Sequence, residues 1–255
     1  FSVLFSYHYV FMVVSMALLG LSAGAVYEYL RGRAGVRRDR PPLEIWGACA
    51  AGSICATIFL IELVGAWAHL LLLVGIALPP FFFVGATLSG VFRWLPEKIA
   101  PLYAADLIGA AFGCFGALWG LDSLGGPATI LAAATVAAAA ALFFGLRCSD
   151  GSAKWGSAAC LLTGLLLLLD LFLGVAGPVP IRDDPDKELF QKISDVSIGG
   201  EIVESRWSSF GRSDLVRYRN YPGSMGMYID GAAGTSMYRW DGRLPVNIDR
   251  ETLLS

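Results

Sequence analysis

Charge is scarce in this chain. Only 16% of its 255 residues are Asp, Glu, Lys or Arg, while 56% are hydrophobic and mean hydropathy is +0.61. That balance excludes an ordinary soluble globular domain and marks an integral membrane protein. Histidine is scarcer still, with His8 and His69 too far apart in sequence to suggest a shared metal ion, so no metal ligand is assigned. The five cysteines, Cys49, Cys55, Cys114, Cys148 and Cys160, are odd in number, lie in or beside apolar segments and form no CxxC pair. The pattern argues against both a disulfide framework and zinc. No face is basic enough to bind nucleic acid. No glycine-rich loop follows a strand and opens a helix, as a nucleotide site requires. The polar C-terminal part has neither His nor Cys, which leaves no Ser-His-Asp or Cys-His arrangement. Residue 1 is Phe and the apolar run starts at once, without the features of a signal peptide, so the chain reads as a fragment.

What the chain does have is long apolar runs. A hydrocarbon core about 30 Å thick needs about 20 helical residues. Six spans of that kind run from Val3 to Leu30, Leu43 to Val64, Ala66 to Phe92, Pro101 to Leu121, Gly126 to Leu146 and Trp155 to Val175. The third carries Pro79-Pro80, which removes two backbone donors and is expected to kink the helix or split it. Lys and Arg gather in the connections 31–42, 93–98 and 147–154, which the positive-inside rule assigns to the cytoplasm. The connections 65–67 and 122–125 have no basic residue and belong on the other face. Six crossings then put residues 177 onward outside the cytoplasm. Trp46, Trp67, Trp94, Trp119 and Trp155 fall near span ends, as an interfacial aromatic belt does.

Composition changes after Gly177. A Pro- and Asp-rich linker leads into PDKELFQKI, a short helical pattern. From Gly200 the residues alternate, and EIVESRW, RSDLVRYR, MGMYID and TSMYRW read as four strands, with Asn220 to Ser224 as a hairpin loop. The fold class is therefore a multi-span α-helical membrane bundle of about six helices (1–176), a linker and short helix (177–199), and a small antiparallel β module (200–255).

Asp106 stands inside an apolar span, where an acid at mid-membrane costs about 2.5–3.5 kcal/mol. It reads as an interfacial residue paired with Arg93 or Lys98, with a proton or substrate site as the other reading. Glu62 and Asp170, near span ends, read as interfacial. Ala105, Gly109 and Gly113, with Gly116 and Gly120 one residue out of step, have the small-xxx-small spacing that lets helices pack closely in lipid.

The combination of YAADLIGAAFG and LDSLGGPATILAAA with the later ESRWSSFGRSDLV and MYIDGAAGTSMYRWDG, preceded by YHYVFMVVSMALLGLSAGA, resembles the membrane-bound spermidine synthase-like proteins of bacteria. The resemblance runs from about Tyr7 to Arg243. It implies a polyamine aminopropyltransferase-type module that opens with a small β domain and continues into a Rossmann-like fold. The family's Ser-x-Tyr-Gln segment corresponds here to Ser209-Phe210-Gly211-Arg212, and its Leu-Asp-Gly-x-x-Gln segment to the stretch Ile229 to Thr235. Neither glutamine is kept, whereas Asp230 and Gly231 match. The substrate-binding candidates are thus Asp230, Gly231 and Arg212. The donor loop and the acids that handle the amine have no counterpart in these residues, so the chain is expected not to be catalytic alone and to hold no cofactor. A longer enzyme would use a decarboxylated S-adenosylmethionine-type donor. Residues 200 to 243 would then form a lid or an oligomerisation element. Expected partners are the lipid bilayer, a polyamine or other small amine and a second copy, in a bacterial inner membrane. The alternative is a transporter-like or scaffold membrane protein whose β module binds a partner or substrate.

Overall fold

A computed structural model of the chain describes residues 9–33, 40–64, 70–147, 153–174 and 187–238. His8, His69, Trp67, Cys148, the linker 177–186 and residues 239–255 lie outside the described residues, as does the side chain of Glu62. The helices are α1 (Tyr9–Arg33), α2 (Leu43–Val64), α3 (Leu70–Trp94), α4 (Ile99–Leu124), α5 (Gly126–Leu146), α6 (Ala153–Leu173) and the short α7 (Glu188–Ser194), with a 3₁₀ turn at Pro96–Lys98. The first six are long and apolar enough to cross a membrane, the architecture of a multi-pass membrane protein. Spans two and five coincide with α2 and α5, and the fourth differs by two or three residues at each end, while the start of the first and third spans and the end of the sixth lie outside the described residues.

The described residues fall into two compact units. One is the helical part together with Arg206–Arg212, and the other is α7 with the rest of the β module. In the helical unit α1 packs on α3, α2 lies against α3 and α5, and α5 lies against α6. Cys55 and Ile58 of α2 meet Leu131 and Ala134 of α5, while Leu43 and Trp46 of α2 close on Ala86 of α3. In lipid no hydrophobic effect draws helices together, so close approach depends on small residues. Here they are Gly24, where an added Cβ would collide with the Phe82 carbonyl, and Gly85, where it would collide with that of Leu21. Gly156 meets the backbone at Leu142 in the same way.

Of the two outcomes expected at Pro79-Pro80, a kink or a split, the split is not there: α3 runs unbroken through both prolines. Pro80 cannot donate to the carbonyl of Ile76 four residues earlier. That oxygen instead lies 3.0 Å from the Thr57 hydroxyl of α2, whose proton is shared between it and the Ser53 carbonyl of α2 at 2.8 Å. A neighbouring helix thus satisfies the freed group inside the membrane.

The β module has strands β1 (Gly200–Ser208), β2 (Gly211–Tyr218), β3 (Ser224–Ile229) and β4 (Ala233–Tyr238), in sheet order β1-β2-β3-β4. β3 runs antiparallel to both β2 and β4. Asp214 faces Tyr228, which faces Gly234. β2 alternates buried and half-buried residues, so one face of the sheet is covered, while β4 is exposed along its length. The β3–β4 turn places Asp230 at φ 52° and Gly231 at φ 74°, and the Ala232 amide donates to the Ile229 carbonyl at 3.1 Å. Two consecutive left-handed residues make the type I′ turn that the Asp-Gly pair favours.

Candidate functional site

Two places in the structure concentrate polar groups among apolar ones. The first is an open groove of about 570 Å³ in the helical unit, bounded by α2, α3, α4 and α5. Ala50, Val84, Leu88, Phe92, Ala137 and Phe144 give it aliphatic and aromatic walls. Its polar side chains are Thr87 and Asp106. The Thr87 hydroxyl is turned back onto the Phe83 carbonyl at 2.8 Å, which leaves the Asp106 carboxylate as the unspent polar group. The groove exists because α4 packs little on its neighbours. Gly120 touches Thr129 of α5, whereas Gly109, Gly113 and Gly116 have open space where a Cβ would stand. Of the glycines in the stripe read as a packing surface, Gly120 is packed and Gly109, Gly113 and Gly116 are open among the described residues, while the close glycine crossings are made by α1, α2, α3, α5 and α6.

The ion pair expected for Asp106 is also absent among the described residues. Arg93 instead engages Glu28, a fully buried acid near the end of α1, which also accepts from Arg31 Nε at 2.8 Å. Arg31 lies 5.1 Å from the Trp46 ring centroid, Arg40 pairs with Glu44, and Arg40 stacks 5.3 Å from Trp94. These charges gather where α1 ends, α2 begins and α3 ends. Trp46 is thereby buried inside the bundle, whereas Trp94, Trp119 and Trp155 are exposed as a lipid-facing belt requires. Asp170 lies three residues before the end of α6.

The second place is the covered face of the β module. Lys187, 1% exposed, donates from Nζ to the Asp230 carbonyl at 2.9 Å, and the Leu189 amide donates to the Gly231 carbonyl at 3.1 Å. The entry to α7 thus clamps the Asp230-Gly231 turn by its backbone. Tyr218 and Tyr228 share a buried hydrogen bond of 2.6 Å between their hydroxyls. Burial pushes the Tyr228 phenol well above its ordinary value, and the Tyr218 bond and the nearby Glu188 carboxylate push it the same way. Ser205 donates to the buried Asp214 carboxylate. Of the three sequence-predicted residues, Asp230 and Gly231 stand together in this unit, while Arg212, buried at the start of β2, belongs to the helical unit's share of the chain. Lys187, Glu188 and the tyrosine pair were not singled out from sequence. The alternation of Val216, Tyr218, Gly226 and Tyr228 was the available sign.

No protein-family model, curated protein or solved structure matches this chain.

Proposed function

We propose that these residues are the membrane anchor and β-module portion of a spermidine synthase-like transferase of a bacterial inner membrane. Such an enzyme moves an alkyl group from a decarboxylated S-adenosylmethionine-type donor to a polyamine or other small amine. The observation that carries this reading is the Ile229-Asp230-Gly231 turn, clamped by Lys187 and Leu189 in a four-stranded module that follows six apolar helices. That is the order and the turn that the resemblance implies. The chemistry needs an acid to deprotonate the amine and a glycine-rich loop for the donor, and both fall to chain beyond the 255 residues. The test is to read the encoding gene past the codon for Ser255. A strand, a glycine-rich turn, a helix and paired acids are expected there, and a stop codon directly after Ser255 sinks the proposal. Calorimetry with a decarboxylated S-adenosylmethionine-type donor gives the companion result, no binding to the 255-residue chain.

A second reading, a transporter-like or scaffold protein, is favoured by the open groove and its unspent carboxylate. The two readings part on orientation, because a module that uses a cytosolic nucleoside donor must face the cytoplasm.

A further inference from the structure

We infer that the groove bounded by α2, α3, α4 and α5 is a binding site for an amphiphile with one cation, an aliphatic chain ending in a primary ammonium held by Asp106. The inference stands apart from the transferase reading. α4 has 26 residues, and Asp106 lies about 5.5 residues from its middle, about 8 Å along the axis. That is well inside a hydrocarbon half-thickness of about 15 Å. At that depth an unpaired carboxylate is costly, and the residues that line it supply no cation. The occupant must therefore bring the positive charge. A polyamine does not fit, because one carboxylate faces several charges in an otherwise apolar groove. A phospholipid headgroup would have to drag its phosphate below the interface. Filling the groove with a second copy through α4 is disfavoured by symmetry: two copies inserted in the same sense are related by an axis along the membrane normal, which brings Asp106 against Asp106 at one depth. Single-chain amines satisfy both the apolar walls and the lone acid, and the groove volume lies in the range of small-molecule sites.

The test uses the full chain in lipid nanodiscs with a photoactivatable tetradecylamine, beside the matched alcohol and carboxylic acid. Saturable labelling by the amine, mapped to α3 and α4, is expected. Asp106→Asn should lower it about tenfold or more, the effect of losing one charge-assisted hydrogen bond, while leaving labelling by the alcohol unchanged. Ala140→Phe, which fills the groove from an exposed position on α5, should abolish labelling by the amine. Equal labelling by the three probes, or amine labelling indifferent to Asp106→Asn, overturns the inference. So does a disulfide-linked dimer through Cys114, which is exposed on α4 one turn beyond Ala110, since a second copy would then occupy the groove.

Discussion

Tyr228 shows how much one buried hydroxyl can control. It is 2% exposed, bonded to Tyr218 and flanked by Gly226 and Gly234, where an added Cβ would press on its ring. Tyr228→Phe keeps the ring and strips Tyr218 of its partner, which should cost the module about 1–2 kcal/mol. Hydrogen exchange at neutral pH should show this as about tenfold less protection of the β2–β3 amides, and unchanged protection would remove the hydroxyl pair from the account. The pH dependence has a definite sign. Burial raises the phenol's folded-state value, so the neutral form is favoured by folding. The associated stability is fully present below the unfolded value of about 10 and is lost as pH rises through the raised one. Phenolate absorbance and circular dichroism, followed together in alkali, should therefore report ionisation of Tyr228 and loss of sheet in one step. Tyr228→Phe should abolish that coupling.

The helices were legible because a span is a property of consecutive residues, and the strands because alternation and an Asp-Gly pair mark them locally. What could not be read is what one helix does for another. The prolines of α3 predicted a kink or a split, and what sequence could not set against the split is the group that replaces Pro80's missing donor, Thr57, 19 residues before Ile76 on α2. Thr57→Val should cost about 1 kcal/mol, whereas Thr135→Val, whose hydroxyl bonds only to its own helix, should cost little. Adding Pro80→Ala restores the amide and should erase the Thr57→Val penalty; a strictly additive double mutant in reversible unfolding from mixed micelles would contradict the exchange. The glycines divide in the same way. Gly20 and Gly24, four apart on α1, make the close approach to α3, while Gly109, Gly113 and Gly116 on the more conspicuous stripe of α4 meet nothing among the described residues. Gly24→Ala should destabilise by about 1–3 kcal/mol and Gly113→Ala by close to zero in the same assay, because only the first forces two backbones apart.

Across the molecule, the groove and the Glu28 cluster were invisible in sequence, since each is assembled from three or four helices that only folding brings together. Orientation is different, because it follows from loop charge and span count. Arg31 and Arg33 at the end of α1 and Arg93 at the end of α3 mark one face, and the pairs of Arg31 and Arg93 with the buried Glu28 hold that charge in place. With Cys148 replaced by Ser, cysteines placed at exposed Glu97, Ser123 and Tyr221 can be tested with a membrane-impermeant maleimide on intact and opened cells. Ser123→Cys should react from outside, and Glu97→Cys only after the membrane is opened. Six crossings require Tyr221→Cys to follow Ser123→Cys. If it follows Glu97→Cys instead, while the other two hold, one helix after α4 does not cross. The β module would then share the cytoplasm with a nucleoside donor, and the transferase reading would lose its main physical objection. If all three behave as six crossings require, the chemistry of the module must be served from the outer face, and the weight shifts to the groove and to ligands that reach it through the bilayer.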